Sequence, residues 1–172
     1  SAPAIPYDQT SVLPWKNLLK GSETFTYKGI DPKRDLAVLQ YTGGTTGIAK
    51  GCMLTHANLG CNAQQCRAVL QMQGEQTETF IGVLPYFHIY GLTVCMNFAT
   101  LLGATQVPFP RYSPKDVLKA IHKIKPTIFP GAPALYISLL QQKDVARYDL
   151  SSIKYCISGA PPMPVEHIER FK

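Results

Sequence analysis

The sequence is poor in charged residues, in tryptophan and in long apolar runs. Only 16% of its 172 residues are charged and 45% are hydrophobic, which excludes the composition of an intrinsically disordered chain. Its apolar stretches fall far short of the ~20 residues that a transmembrane helix needs, and its first residues do not form a secretory signal. The length fits one globular domain or a piece of a larger one.

Cysteine pairs at metal-binding spacing are also absent. The five cysteines are odd in number and form no Cys-x-x-Cys pair, so the sequence predicts neither a zinc cluster nor a disulfide framework. Most of them lie in apolar segments, and we therefore expect buried, reduced thiols in a cytoplasmic protein. They are Cys52, Cys61, Cys66, Cys95 and Cys156.

Acidic residues are fewer than basic ones. Seventeen Lys and Arg against 11 Asp and Glu give a net charge of +6, which favours anionic partners, unless the rest of a longer protein cancels it. No basic stripe with interleaved aromatic residues is present, so nucleic acid is not an expected partner. Lys115, Lys119 and Lys123 share one predicted helix face. We expect this face to be solvated, with peripheral contact to an acidic membrane as the alternative.

The hydrophobic pattern changes near residue 35. Residues 1–34 are rich in proline and glycine and predict an irregular entry segment. Residues 35–172 alternate apolar runs with helical patterns, which predicts an α/β domain with a mainly parallel sheet flanked by helices. The predicted strands are 36–41, 79–84, 104–109, 127–129 and 154–158, and we expect the first of them to be buried. The predicted helices are 56–71, 90–102, 114–125, 133–141 and 164–172.

A glycine- and threonine-rich loop, TGGTTGIAKG, follows the first predicted strand at residues 42–51. Glycines let the backbone approach a ligand closely, and successive N–H groups in such a loop form an anion-binding nest. Threonine hydroxyls and Lys50 add donors and a positive charge, so the loop has the groups that hold a polyphosphate. The patterns G-x-x-x-x-G-K-[ST] and G-x-G-x-x-G both fail, because Lys50 stands three positions after Gly47 and Thr45 stands two after Gly43.

The longer stretch YTGGTTGIAKGCMLTHANL resembles the phosphate-binding motif of the adenylate-forming superfamily, which includes acyl-CoA synthetases, aryl-CoA ligases, luciferases and peptide-synthetase adenylation domains. The common form is Y-T-[ST]-G-T-T-G-x-P-K-G, and two positions depart from it: Gly43 and Ala49. The Gly-Gly form followed by L-T-H is most similar to long-chain fatty-acyl-CoA synthetases. The resemblance implies that the loop holds the β and γ phosphates of ATP, through Thr42, Gly43, Gly44, Thr45, Thr46, Gly47 and Lys50.

A single histidine stands in the loop PYFHIYGL, at residues 85–92. A lone histidine between aromatic residues is by itself more typical of a packed core. The loop resembles the superfamily's P-x-F-H-x-x-G stretch, which implies that His88 orients the acyl carboxylate and stabilises charge at the reacting centre. The same resemblance implies that Tyr90 and Gly91 line the acyl pocket.

A third loop, ISGAPPM at residues 157–163, joins a predicted strand to a helix. Small residues let a flat base lie against the backbone, although an ordinary strand-to-helix turn has the same composition. With the preceding YDLSSI, the loop resembles the superfamily's YDLSSL…SGGAPL stretch. The resemblance implies that Gly159, Ala160 and Pro161 pack against adenine.

The resemblance covers residues 31–172 and implies a fatty-acid–CoA ligase that uses ATP, Mg²⁺ and coenzyme A. Lys50 and His88 are its expected catalytic residues, and Thr42 is the expected Mg²⁺-facing hydroxyl. The family's Tyr-Gly-x-Thr-Glu motif, ribose-binding aspartate and C-terminal catalytic lysine are absent, so we expect a central fragment that is inactive alone. An aryl- or medium-chain acyl-CoA ligase, another adenylation enzyme and a non-catalytic nucleotide-binding scaffold are the alternatives. The sequence does not indicate the oligomeric state.

Overall fold

The computed structural model describes residues 16, 29–42, 49–72 and 78–171, apart from the side chain of Thr42. The described residues from Pro32 onward belong to one compact unit. The predicted entry segment, residues 1–34, lies almost entirely outside the described residues, so this boundary stays a prediction.

Strands β1 (Leu36–Thr42) and β2 (Lys50–Thr55) form an antiparallel hairpin. The first strand was predicted correctly, but its predicted burial is wrong: Leu39 and Tyr41 are 51% and 62% exposed. The predicted loop 42–51 is too long, because Lys50 and Gly51 already pair with β1. A mostly apolar run cannot by itself distinguish a buried parallel strand from one strand of an exposed hairpin.

The other strands form a parallel sheet in the order β4-β3-β5-β6. They are β3 (Thr79–Gly82), β4 (Thr105–Pro108), β5 (Ile128–Gly131) and β6 (Tyr155–Ser158). The predicted α/β class is therefore confirmed. From β3 the chain crosses to β4 on one side, and from β5 it crosses to β6 on the other, so β3 and β5 flank the point at which the strand order reverses.

The helices begin where the local sequence predicts. They are α1 (His56–Val69), the two-part helix α2 (a π-helix, Gly91–Phe98, followed by an α-helical turn, Ala99–Leu101), α3 (Pro114–Ile124), α4 (Pro133–Leu140) and α5 (Val165–Phe171), with a 3-10 turn at Val145–Arg147. Thr55 caps α1 in a reciprocal pair with Asn58, and the Ser113 hydroxyl accepts the Asp116 N–H at the start of α3. The π form of α2 was not predicted. The apolar pattern predicts burial of that segment but not its hydrogen-bond spacing.

Alternating side chains of the parallel sheet build a core on each of its two faces. On one face, Ile81 and Phe129 pack with α3 and α4, including Leu118. On the other face, Phe80 and Ile128 pack with α2 and with the inner side of α1. The helices therefore cover both faces of the sheet, as they do in parallel α/β proteins.

The cysteines only partly follow the prediction. All five are free, but Cys52, Cys61 and Cys156 are exposed and only Cys95 is fully buried, so the predicted burial is wrong for three of them. Two of the exposed ones lie in the hairpin and on the outer side of α1, where one face meets solvent. Among the helices of the described residues, none combines the length and apolar character that crossing a bilayer requires.

Candidate active site

The hairpin brings the two ends of the predicted phosphate loop together. Thr42 is paired with Lys50 in the last register position of β1 and β2, and Lys50 is exposed. Residues 43–48 lie between this pair and outside the described residues, so the predictions for Gly43, Gly44, Thr45, Thr46 and Gly47 stay predictions. Lys50, whose ammonium group is predicted to bind phosphate, thus stands at the base of the loop.

The hairpin also touches the histidine loop. The Gln40 side-chain amide, in the middle of β1, donates a hydrogen bond to the carbonyl of Phe87 at 3.3 Å. Phe87 directly precedes His88. The predicted phosphate loop and the predicted carboxylate-binding histidine therefore lie on elements in direct contact, although 47 positions separate Gln40 from Phe87 in the sequence.

His88 is exposed and held by its own turn. Its N–H donates to the carbonyl of Pro85 at 3.1 Å, and its Nδ1 accepts the N–H of Tyr90 at 3.2 Å. This use of Nδ1 leaves Nε2 as the ring nitrogen that is available to a ligand. The turn thus fixes the orientation of the imidazole without burying it.

Gly91 fills a place where no side chain fits. A Cβ on Gly91 would lie 2.2 Å from the carbonyl oxygen of Pro85, far inside van der Waals contact. Gly91 is buried and begins the π-helix of α2. The close approach of the two backbones sets the position from which His88 and Tyr90 project.

Tyr90 joins the histidine loop to the predicted adenine loop. Its hydroxyl donates to the carbonyl of Ile157 at 2.6 Å, and Oη lies 3.3 Å from the carbonyl oxygen of Gly131. Its ring covers Gly159 so closely that a Cβ there would lie 2.7 Å from Cε1 and Cζ. Burial raises the pKa of Tyr90 to about 12, so the hydroxyl stays a protonated donor at physiological pH.

The predicted adenine loop follows the carboxyl end of β6. The Gly159 N–H donates to the carbonyl of Gly131 at 3.1 Å and continues the sheet hydrogen bonding. Ala160 then takes a left-handed conformation, with φ of 74°, which is unusual for a residue with a Cβ. Ala160 and Pro161 are exposed, so this face of the loop is accessible to a ligand.

A proline stands in β5 where the pairing of β3 with β5 ends. Gly131 bonds to β6, so its neighbour Pro130 faces β3 and, lacking an N–H, donates nothing to it. The two strands are paired at one position, Phe80 with Ile128. A cavity of about 760 Å³ lies at the carboxyl ends of β3, β4 and β5, and Leu84, Pro85, Phe87, Phe109, Ala132 and Leu135 are among its lining residues.

This crevice lies at the reversal of strand order, which is where open parallel α/β sheets bind their ligands. The histidine motif contains three of its lining residues, Pro85, Tyr86 and Phe87, but no motif contains Phe109 or Leu135 on the opposite wall. The contacts of Gln40 and the burial of Tyr136 also escaped prediction, because each depends on pairing across the fold.

The Mg²⁺ ion that the resemblance implies stays a prediction. Among the described residues, no cluster of three or more potential metal ligands occurs. Mg²⁺ usually binds through one or two protein oxygens and the phosphates of the nucleotide. Thr42, at the base of the loop, can supply one such oxygen, and its role stays a prediction because its side chain lies outside the described residues.

The fold defines a parallel α/β domain, and the hairpin, the histidine loop and the Gly159 loop are its candidate binding elements. A family model described as AMP-binding enzyme matches residues 4–172. The long-chain-fatty-acid–CoA ligase of Bacillus subtilis (strain 168) is 48% identical over 151 residues, which are 88% of this chain and 27% of that protein. The chain belongs to the AMP-binding enzyme family.

Two further comparisons agree with this membership. A probable 4-coumarate–CoA ligase of Dictyostelium discoideum is 36% identical over 147 residues, which cover 83% of this chain and 27% of that protein. The crystal structure of ATP-bound MatB from Rhodopseudomonas palustris superimposes with a TM-score of 0.77 at 27% identity, over 91% of this chain and 30% of that one. The chain thus spans about a quarter of the length of the curated relatives it matches.

Proposed function

We propose that this chain is the nucleotide- and acid-binding part of a long-chain fatty-acid–CoA ligase. The contact of Tyr90 with Gly159 carries the proposal, because it joins the candidate carboxylate site to the candidate adenine site. Adenylation needs the acid and the nucleotide side by side. A ligase of its relatives' length that contains this chain is called the full-length ligase below.

In the first step, a carboxylate oxygen of the fatty acid attacks the α-phosphorus of ATP. A carboxyl-to-phosphorus bond forms, the bond from the α-phosphorus to the bridging oxygen breaks, and pyrophosphate leaves with that electron pair. Lys50 and the loop 42–47 neutralise the growing charge on the pyrophosphate. Thr42 would hold a Mg²⁺ ion there, and the ion would supply further charge neutralisation at the phosphates.

His88 acts on the acid rather than as a base. A carboxylate is already a nucleophile, so the reaction needs an orienting donor and no proton abstraction. Nδ1 is occupied by the Tyr90 N–H, which leaves Nε2 to donate to the carboxylate or to the forming acyl phosphate. In the second step, the coenzyme A thiol, as thiolate, attacks the acyl carbon and AMP leaves.

The crevice at the carboxyl ends of β3, β4 and β5 offers room for the acyl chain. Its volume of about 760 Å³ lies within the range of small-molecule sites, which runs from about 300 to 1,000 Å³. The lining residues Leu84, Phe109 and Leu135 are apolar, and Phe87 connects the crevice to His88. Tyr90 and Gly91 do not line this crevice; we place them at its carboxylate end, where they set the position of His88.

The remaining reaction parts are assigned to the rest of the full-length ligase. The chain lacks the Tyr-Gly-x-Thr-Glu motif, the ribose-binding aspartate and the distal lysine that the superfamily resemblance implies, so these 172 residues alone are expected to be inactive. We propose a cytoplasmic enzyme that reaches fatty acids in water or, peripherally, at a membrane surface.

Carboxylate-dependent ATP–pyrophosphate exchange by the full-length ligase tests the proposal. A panel of fatty acids of increasing length and of aromatic acids is offered without coenzyme A. Exchange that rises with chain length supports a long-chain ligase. Exchange with aromatic acids alone favours an aryl-CoA ligase, which is the second candidate because coumarate ligases are among the relatives. ATP binding without any exchange favours a nucleotide-binding scaffold.

A further inference from the structure

Two tyrosine hydroxyls converge on one backbone carbonyl at the end of β6. Tyr136 Oη lies 2.9 Å from Ile157 O and 2.7 Å from Phe129 O. Tyr90 Oη lies 2.6 Å from the same Ile157 O. Each hydroxyl has one proton, which Tyr90 directs mainly to Ile157 O and which Tyr136 shares between Phe129 O and Ile157 O. Each tyrosine also reaches a carbonyl of β5 and therefore bridges the two strands.

The tyrosines approach from opposite faces of the sheet. Tyr136 belongs to the core that contains Phe129, whereas Tyr90 packs against the core on the other face, beside Ile157. Each ring lies over a glycine. A Cβ on Gly131 would lie 3.0 Å from Cζ of Tyr136, and a Cβ on Gly159 would lie 2.7 Å from Cζ of Tyr90.

The Tyr136 side chain is buried, and that of Tyr90 is half-buried. Tyr136 is only 2% exposed. Burial raises the pKa of both tyrosines above the ordinary value, in Tyr90 to about 12, so both hydroxyls remain protonated donors. A buried hydroxyl without a partner would be costly, and the two carbonyls of β5 and β6 supply the partners.

The Ile157 carbonyl lies directly before the strained loop Gly159–Pro161. Ile157 is separated from Gly159 by one residue, and Ala160 follows with φ of 74°. A left-handed non-glycine residue persists only where its surroundings hold it. Ser158 pairs with Gly131 as the last register position of β6, so the Ile157 carbonyl lies at the last paired part of the strand before the turn.

We propose that Tyr136 is a positioning residue. With Tyr90, it fixes the Ile157 carbonyl and thereby holds the loop Gly159–Pro161 in the conformation that receives adenine. This inference rests on the proposed function and extends it to a residue that no sequence motif contains. Tyr136 itself lies beneath the sheet, so it acts through the loop and does not touch the nucleotide.

The test uses Tyr136→Phe in the full-length ligase. The variant keeps the ring over Gly131 and loses the hydroxyl, so we expect the fold to remain. The KM for ATP in pyrophosphate exchange should rise about three- to tenfold, the scale of one hydrogen bond. The KM for the fatty acid should stay within about twofold, and the preference for ATP over GTP should fall.

Tyr112→Phe is the matched control. Tyr112 Oη also lies 2.9 Å from a backbone carbonyl oxygen, that of Leu135, and contacts Ser138 Oγ. It lines the proposed acyl crevice, so its loss bears on the KM for the fatty acid and not on the loop that follows Ile157. This variant should keep the wild-type preference for ATP over GTP. If Tyr136→Phe leaves the KM for ATP and the ATP preference unchanged, or if Tyr112→Phe alters them equally, the positioning role is wrong.

A double-mutant cycle with Ala160→Gly separates positioning from general stability. Glycine takes a positive φ without strain. With glycine at position 160, the loop therefore depends less on the tyrosine hydrogen bonds to Ile157. We expect Tyr136→Phe to raise the KM for ATP less when Ala160 is glycine. An equal rise in both backgrounds would overturn the inference. Absence of exchange in the wild-type enzyme would instead refute the proposed function, so the two failures are distinguishable.

Discussion

Thr42 and Lys50 face each other across the last pair of the β1–β2 hairpin. The predicted phosphate loop joins them, so the strand pairing fixes where the loop begins and ends. The same hairpin reaches the histidine loop through the Gln40 amide and the Phe87 carbonyl. A change in hairpin position would thus move phosphate and carboxylate groups together.

Lys50→Met should abolish most of the phosphate chemistry without loss of fold. Lys50 is exposed at the end of β2, and removing one charged group from a transferring phosphate site costs about 100-fold or more in rate. We expect pyrophosphate exchange to fall by that amount and the Tm to change by less than about 2 °C. Lys123→Met, on the exposed side of α3, is the control and should keep full exchange. Equal activity of the two variants would refute the role of Lys50.

His88→Asn and His88→Ala should separate the structural role of Nδ1 in the turn from the role of Nε2 in the reaction. An asparagine oxygen can still accept the Tyr90 N–H that Nδ1 accepts at 3.2 Å, whereas alanine cannot. We expect both variants to lose at least tenfold in exchange rate, because both lack Nε2. Only His88→Ala should also lose stability, by about 1 kcal/mol in the free energy of unfolding. Full exchange in His88→Asn would show that Nε2 is not used.

Gly159→Ala should damage both stability and nucleotide binding. The new methyl group would lie 2.7 Å from the Tyr90 ring, and such overpacking costs about 1–3 kcal/mol. Thermal unfolding and the KM for ATP measure the two effects. Gly60→Ala is the opposite control: it lies in α1 with open space around its Cβ position, and alanine there should stabilise the helix by about 0.5–1 kcal/mol. If Gly159→Ala changes neither the Tm nor the KM for ATP, the close contact between Gly159 and the Tyr90 ring is contradicted.

Ala132→Phe should shorten the acids that the full-length ligase accepts. Ala132 lines the crevice between the strand ends, and a phenyl ring there would fill part of it. We expect exchange with hexadecanoate to fall at least tenfold more than exchange with octanoate. Ala68→Phe, on the exposed side of α1, should change neither. Equal losses for both acids would place the acyl chain elsewhere.

Asp149→Asn should destabilise the protein in a pH-dependent way. The Lys125 ammonium, together with Ser151, holds the pKa of the Asp149 carboxyl well below its usual range. A lowered pKa contributes stability above the unfolded value of about 4, and this contribution is lost as the pH falls through the folded value. The Tm difference between wild type and variant should thus be complete at pH 7 and shrink below about pH 4. A difference independent of pH would contradict the ion pair with Lys125.

Local sequence signals predicted the elements whose causes are local. Thr55 and Ser113, residue types that favour helix N-termini, cap their helices, and Gly103 ends α2 with a positive φ of 64°. The apolar side of α3 is buried at Val117, Leu118 and Ile121, whereas Ile124 is 46% exposed. The fold class followed from the alternation of strands and helices, which no single residue decides.

The features that escaped prediction depend on distant partners. Lys50 and Gly51 of β2 were predicted as loop, and residues 52–55 were given no strand, because pairing with β1 sets their conformation. The exposure of Tyr41 follows from the same pairing. Tyr136 meets Ile157 across 21 positions, and Tyr90 meets it across 67. Resemblance to a superfamily supplied candidate roles for His88 and Gly159, but their connection through Tyr90 required coordinates.

Direct detection of an acyl-adenylate tests the central claim. The full-length ligase, at substrate-like concentration, is mixed with hexadecanoic acid, ATP and Mg²⁺ without coenzyme A, and the bound products are quantified by mass spectrometry. We predict hexadecanoyl-AMP and pyrophosphate in equal amounts, close to one per enzyme, with thioester and AMP appearing when coenzyme A is added. ADP and phosphate as the products, or intact ATP throughout, would contradict adenylation at this site.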